Sequence, residues 1–166
     1  MRFQLQQRIA APVDAVAAVF IDPGFYESLD ALPKVGRPEL LSREEKGTIV
    51  RMRVRYRFNG DLSSAVRAAI DPAKLTWVEE ADHDLAARRV TFRMIADHYA
   101  DRFKASGNYR FDSAGDAATI RNCTGDIEIR MPLVGRRVEN AIISGLREHL
   151  ADEVPLVERW VADHRG

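Results

Sequence analysis

Several features that would identify a particular class of protein are missing from this 166-residue sequence. Its one cysteine, Cys123, excludes an intramolecular disulfide and a zinc site built from several thiolates. No stretch reaches the roughly 18 consecutive apolar residues that a membrane helix needs. Lys plus Arg equals Asp plus Glu at 25 each, whereas a nucleic-acid-binding domain usually carries a basic excess. We therefore predict no membrane span and no nucleic acid partner.

What is present is typical of one globular domain. Hydrophobic residues make up 46% and charged residues 30% of the chain, and no internal repeat or linker divides residues 1–166. The first residues, Met1–Gln6, alternate in polarity instead of forming the apolar core of a signal peptide. Together with the single cysteine, this pattern predicts a cytoplasmic protein.

Alternating hydrophobic and polar residues predict an antiparallel sheet. The clearest alternation runs from Val50 to Phe58, with arginines at every second position between them. The turn sequence Asn59-Gly60-Asp61 ends this strand. The other predicted strands lie at residues 3–9, 75–80, 89–94, 103–111 and 127–131.

The segments between these strands give further expectations. Residues Leu62 to Ile70 are predicted to form a short helix, and His83-Asp84 a polar turn. Ile120 has the opposite parity from Ile127 in the last strand, which predicts a β-bulge near Asn122.

Helical patterns lie at both ends of the chain. Ala11-Pro12-Val13-Asp14 begins one short helix, and Asp22 is the predicted N-cap of a second that runs through Leu29. Beyond Pro132 the hydrophobic period changes to 3.6, which predicts a helix from Leu133 to Ala162, about 45 Å long. Hairpin-connected strands with helices gathered on one face predict an α+β architecture in which the sheet wraps around this long helix.

The order of elements and one local motif resemble the START-like superfamily. The motif is Ile9-Ala10-Ala11-Pro12-Val13-Asp14-Ala15-Val16, followed by Phe20 and Asp22-Pro23. The superfamily includes lipid-transfer domains, birch-pollen-type allergens and polyketide cyclases, and the chain looks closest to an uncharacterised branch of it. The resemblance implies a helix-grip fold: a curved antiparallel sheet around a long C-terminal helix, with a cavity between them for a hydrophobic molecule. The motif is structural, so no catalytic residue can be carried over.

His149 and Glu153 form the most informative polar pair of the terminal helix. With Ile142 at zero, they fall at about −20° and +20° on a helical projection, at the centre of the apolar arc. Their spacing predicts a contact in which Glu153 raises the basicity of His149. If this face lines the cavity, the pair anchors the polar end of a ligand or acts as a general base. The alternative is a pair that satisfies its own hydrogen bonds or reaches solvent near Pro155.

Arginines at 51, 53, 55 and 57 form a basic stripe on one strand face. The functional interpretation is a surface for RNA, acidic lipid or an acidic partner. The alternative, favoured by the zero net charge, is a solvated face paired with acids such as Glu44, Glu79 or Glu80.

The remaining candidates are weaker. Residues 97–101, Asp-His-Tyr-Ala-Asp, lie between two strands and are predicted to be a solvated turn, because nothing completes a metal-ligand set with them. Cys123 is predicted to be a small buried hydrophobe. Tyr56 and Tyr109 project from apolar faces, either as core residues or with their hydroxyls in the cavity.

The sequence thus predicts a protein that binds an apolar small molecule, such as a lipid, an isoprenoid or a polyketide-like compound, without a cofactor or metal. One alternative is a cyclase, dehydratase or hydrolase that uses His149 and Glu153. Another is a protein-interaction module with a filled cavity. The predicted ligand-binding residues are Met52, Val54, Tyr56, Phe92, Met94, Phe103, Tyr109, Ile127, Ile142, Leu146, His149 and Glu153.

Overall fold

The computed structural model describes residues 1–165, which form seven strands and four α-helices. A 3₁₀ turn at Pro72–Lys74 precedes the fourth strand. In chain order the elements are β1 (Arg2–Ile9), α1 (Val13–Val19), α2 (Pro23–Ser28), β2 (Glu39–Lys46), β3 (Ile49–Arg57), α3 (Ser64–Arg67), β4 (Thr76–Asp84), β5 (Arg89–Ala96), β6 (Phe103–Ser113), β7 (Thr119–Ile129) and α4 (Gly135–Asp163).

The strands form one antiparallel sheet in the order β1-β7-β6-β5-β4-β3-β2. Every strand from β2 to β7 pairs with its neighbour in sequence, and β1 closes onto β7. The curved sheet holds α4 against β1, β7 and α1. This is the predicted helix-grip fold. None of the helices within residues 1–165 has the length and apolar character needed to cross a membrane.

The helix boundaries follow from local chemistry. The Asp22 carboxylate accepts a hydrogen bond from the backbone N–H of Gly24 at 2.9 Å, and Pro23 occupies the first helical position, as predicted for α2. The long helix begins at Gly135, two residues later than predicted. The reason is Leu133, whose φ of 69° is incompatible with a right-handed helix.

The predicted polar turn at His83-Asp84 is wrong. Both residues belong to β4, and His83 is 6% exposed, paired with Val50 on one side and Val90 on the other. The turn follows at residues 85–88. Polar composition misled the prediction, because in an alternating strand the flanking acids share the outer face while the residue between them points inward.

The predicted bulge near Asn122 is also wrong. β7 pairs with β1 and β6 without a register shift from Thr119 to Ile129. The parity of Ile120 needs no bulge because Ile120 lies on the outer face, while Arg121 takes the inner position beside it. A charged residue at an inward position cannot be recognised from an alternation of apolar residues.

Two shorter elements differ from expectation as well. The helix predicted from Leu62 to Ile70 is confined to one turn at Ser64–Arg67, although Val66 and Ile70 are buried as its apolar side. Strand β2 was not predicted, because its sequence is dominated by polar residues and lies at a sheet edge with mostly accessible side chains.

Candidate ligand cavity

A cavity of about 180 Å³ lies between the inner face of the sheet and α4. Its walls are mostly apolar, and Leu62, Val66 and Ile70 from the region of α3 contribute to them. The exposed residues Lys74 and Arg102 also border it and mark its opening. The shape is that of a small-molecule site: concave, apolar and provided with few polar groups.

Eight of the twelve predicted ligand-binding residues line this cavity. They include Tyr56 and Tyr109, which the sequence could assign either to the core or to the cavity. The ring of Tyr56 stacks on that of Trp77, another cavity residue, with ring centroids 5.8 Å apart. The eight residues are Tyr56, Met94, Phe103, Tyr109, Ile142, Leu146, His149 and Glu153.

The other four, Met52, Val54, Phe92 and Ile127, do not border the cavity and are 1–2% exposed within the main core. Phe92 shows the reason. A Cβ atom at Gly107, its cross-strand partner, would lie 2.7 Å from the Phe92 Cζ, so the ring covers the glycine. Alternation identifies the inner face of a strand, but it cannot show whether other side chains fill the space above that face.

The buried guanidinium of Arg121 organises one wall of the cavity. Its Nη1 donates to Glu153 Oε2 at 2.5 Å, its Nη2 to the backbone oxygen of Leu150 at 2.9 Å, and its Nε to Gln7 Oε1 at 3.1 Å. Arg121 is 2% exposed. Burial of both charges is tolerated because they pair and find further hydrogen bonds. Sequence reasoning missed this residue, and the odd parity at Ile120 was the only signal of it.

His149 is not paired with Glu153 as predicted. Within residues 1–165 no hydrogen bond reaches its buried Nδ1, because Glu153 is engaged by Arg121. The nearby Glu153 charge favours the protonated imidazole, but burial outweighs it and lowers the pKa of His149. The imidazole is therefore neutral at neutral pH, and its ring meets the edge of Tyr56 with centroids 6.3 Å apart.

Glu79 is the second polar residue of the cavity that sequence reasoning missed. It lies on β4 between Val54 of β3 and Met94 of β5, on the inner face. Burial, followed by repulsion from Glu153, raises the pKa of its carboxyl from 4.5 to about 7, and Arg121 only partly offsets this. The prediction that Glu79 pairs with the arginine stripe is therefore wrong.

Three of the four arginines of the stripe form ion pairs on the outer face of the sheet. Arg51 makes a two-pronged contact with Asp82 at 2.7 and 2.9 Å. Arg53 lies 3.5 Å from Glu80, and Arg55 lies 3.4 Å from Asp97. Of the acids named from the sequence, Glu80 is a partner, whereas Glu79 points to the opposite side of the sheet.

The buried tyrosines, Cys123 and His83 near the cavity are neutral at neutral pH. Burial, as the largest cause, raises the pKa of Tyr26, Tyr56 and Tyr109 well above its ordinary value. Burial likewise raises the pKa of Cys123 to about 12 and lowers that of His83 to about 4. Within residues 1–165, no group of three His, Cys, Asp or Glu side chains is arranged to hold a metal ion.

The family model described as "Protein of unknown function (DUF2505)" matches residues 4–161. The chain belongs to the DUF2505 family. No curated protein matches the sequence.

Solved structures with the same fold are more distant in sequence. This DUF2505 protein superposes on TTHA0849 from Thermus thermophilus with a TM-score of 0.69 and 20% identity, covering 100% of both chains. The Zhui aromatase/cyclase from Streptomyces gives 0.65 and 18%, covering 98% of this chain and 93% of that one. Norcoclaurine synthase from Thalictrum flavum, in complex with dopamine and hydroxybenzaldehyde, gives 0.64 and 20%, covering 100% and 88%. These superpositions show that the chain shares the helix-grip fold with the three proteins.

Proposed function

We propose that the protein binds an apolar small molecule in the cavity between the sheet and α4. The observation that carries the proposal is a largely apolar cavity of about 180 Å³ with a few polar side chains along one wall. Transfer of apolar ligand surface into such a site yields roughly 25 cal/mol per Å² buried. Apolar contact would therefore supply most of the affinity, and the polar wall would set the orientation.

The fold neighbours support this proposal. One is named an aromatase/cyclase, and another is described in complex with two small aromatic molecules. A lipid, an isoprenoid and a polyketide-like compound all remain candidate ligands for this chain. The cytoplasmic location predicted from the sequence stays a prediction.

Native mass spectrometry of freshly purified protein, followed by denaturing extraction, tests the proposal. We expect an apolar molecule bound at one to one, or uptake of one from a panel of lipids and polyketides. Ala141 lines the cavity, so Ala141→Phe should abolish uptake by filling it. Ala151 lies exposed on the same helix, and Ala151→Phe is the matched control that should retain uptake. Absence of uptake from the whole panel, or equal uptake by both variants, would contradict the proposal.

An acid–base enzyme is the second candidate. The observation that favours it is Glu79, a cavity-lining carboxyl whose pKa near 7 permits proton exchange at neutral pH. The sequence predicts Glu153 with His149 for this role, but Glu153 accepts a hydrogen bond from Arg121 instead. If the protein moves protons on a bound ligand, incubation in D₂O should label the extracted ligand, and Glu79→Gln should stop the labelling. An unlabelled ligand would favour binding alone.

The interaction-module alternative has less support. It requires a filled cavity and a free arginine stripe, whereas the cavity has open volume and Arg51, Arg53 and Arg55 are paired with acids. Charge reversal at Arg53 and Arg55 should leave small-molecule uptake unchanged.

A further inference from the structure

We propose that the enclosed end of the ligand carries a hydrogen-bond donor, a hydroxyl or an ammonium group, which binds the carboxyl of Glu79. The proposal rests on the proposed function, since it names the chemistry that the same cavity selects. It separates two kinds of amphipathic ligand: those with a donor at the polar end and those with a carboxylate.

Glu79 is placed to meet a ligand. It projects from the inner face of β4 into the cavity, and within residues 1–165 it makes no hydrogen bond or ion pair. Its neighbour Glu80, on the outer face, is engaged by Arg53 and Arg93. An enclosed carboxyl without a partner is costly, because it has lost hydration and gained no hydrogen bond. A donor from the ligand would supply that hydrogen bond.

The buried cation nearest to Glu79 is already committed. All three nitrogens of Arg121 donate to protein acceptors: Glu153, the Leu150 carbonyl and Gln7. Arg121 therefore pairs with Glu153, and it only partly compensates the charge of Glu79, to which it donates no hydrogen bond.

The other groups that face Glu79 supply no positive charge. Those that interact electrostatically with Glu79 are Tyr26 from α2, Tyr56 from β3, Tyr109 from β6 and Cys123 from β7, and His149 from α4 lines the same cavity. Burial keeps all of them neutral at neutral pH. Above pH 7, where Glu79 is mostly ionised, this wall carries the Glu79 carboxylate beside the Arg121–Glu153 ion pair, so it has a net negative charge. A ligand carboxylate would be repelled here, whereas a hydroxyl or ammonium group would be attracted.

His149 is a neutral polar side chain in the wall of the same cavity. Its buried Nδ1 has no protein partner within residues 1–165, and the ring lines the cavity. A neutral imidazole nitrogen can accept or donate a hydrogen bond. The neutral ring therefore adds a polar surface to the cavity without offsetting the charge of Glu79.

The test uses decan-1-ol, decylamine and decanoate, which share one apolar body and differ at the polar end. The chain has two tryptophans. In the variant Trp160→Phe, fluorescence comes from Trp77, which lines the cavity and reports binding. Affinities are measured from Trp77 emission at pH 8, where Glu79 is ionised, and at pH 6, where it is largely protonated.

At pH 8 we expect at least one donor ligand to bind about tenfold or more tightly than decanoate, the size of a hydrogen bond to a charged group. Glu79→Gln should reduce that gap to within about threefold, while the matched variant Glu80→Gln should preserve it. The two donor sources are distinguished by pH. If decylamine binds more tightly than decanol at pH 8 and this advantage shrinks at pH 6, the preferred donor is an ammonium group. If decylamine and decanol bind equally tightly at both pH values, the donor is a hydroxyl.

Decanoate binding as tightly as both donor ligands would overturn the inference, because it would place the ligand's polar end at the Lys74 and Arg102 opening. A ranking unchanged by Glu79→Gln would overturn it as well. In either case, loss of binding in Ala141→Phe would show that the cavity still binds ligands. If none of the three ligands binds the wild-type cavity, the proposed function and the inference fall together.

Discussion

The substitution Glu79→Gln should make the protein more stable at alkaline pH and have little effect at acidic pH. In the folded protein the pKa of this carboxyl rises from 4.5 to about 7, chiefly because burial penalises its charged form. The folded state therefore binds the proton more tightly than the unfolded state does. The stability that this proton supplies is fully present below pH 4.5 and is lost as the pH rises through 7.

The magnitude follows from the two pKa values. A change from 4.5 to about 7 corresponds to about 3 kcal/mol of folding free energy once the group is ionised. The glutamine keeps the shape of the side chain and cannot ionise. The unfolding free energy of Glu79→Gln minus that of the wild type should therefore rise by about 3 kcal/mol between pH 4 and pH 8.

The difference between proteins is the quantity to measure, because His83 acts in the opposite sense. Burial lowers the pKa of His83 from 6.5 to about 4, so the stability that depends on its neutral form is lost as the pH falls through that interval. In the wild type alone the contributions of His83 and Glu79 largely cancel between pH 4.5 and 6.5. Subtraction removes the His83 contribution because both proteins share it.

Urea unfolding, followed by circular dichroism at half-unit pH steps, provides the free energies. Glu80→Gln serves as the control, because Glu80 faces outward between Arg53 and Arg93 and should show no comparable rise with pH. A flat difference for Glu79→Gln, or one that falls with pH, would refute the assignment of Glu79 as an enclosed, unpaired carboxyl.

Other predictions concern the buried ion pair, the long helix and the cysteine. Arg121→Leu alone should lower the unfolding free energy by about 3–5 kcal/mol, because it leaves the buried charge of Glu153 without a partner. The double variant Arg121→Leu/Glu153→Leu should recover most of that loss, as measured by urea titration. If the double variant loses as much as the single variant, or the sum of both single losses, the pairing is refuted. Gly145→Ala should raise the unfolding free energy by about 0.5–1 kcal/mol in thermal unfolding, because glycine is unfavourable inside a helix such as α4. The added Cβ has room, since its nearest neighbour is a Phe58 carbon at 3.7 Å. A lower stability would show that the methyl group is crowded. Cys123 should resist a thiol reagent in the folded protein and react in urea, because its side chain has no exposed surface and burial raises its pKa to about 12. Rapid labelling of the native protein would place the thiol at the surface.

The fold was largely predictable because it depends on periodicity. The alternation of Val50 to Phe58 and the 3.6 period after Pro132 each reflect one face turned to a core, and the structure confirms β3 and α4. Errors occurred where polar residues interrupt or replace that signal. Edge strand β2 has few apolar residues to reveal its period, and His83 looked like a turn residue because it stands between two aspartates.

The candidate site was only partly predictable. The helical projection placed His149 and Glu153 on the face that lines the cavity. It could not show that Glu153 pairs with Arg121, which is 32 residues away in sequence and lies on strand β7. Glu79 and Glu80 are adjacent in sequence, yet one faces the cavity and the other faces outward.

The sequence by itself determined most of the elements and the helix-grip fold, because hydrophobic periodicity and the helix-start motif are local properties of the chain. Only the tertiary structure decided which inward-facing residues fill the core and which border open volume, and which acid pairs with the buried Arg121. Those outcomes depend on distances between strands and helix, and solvation and Coulomb energies follow distance in space rather than separation along the chain.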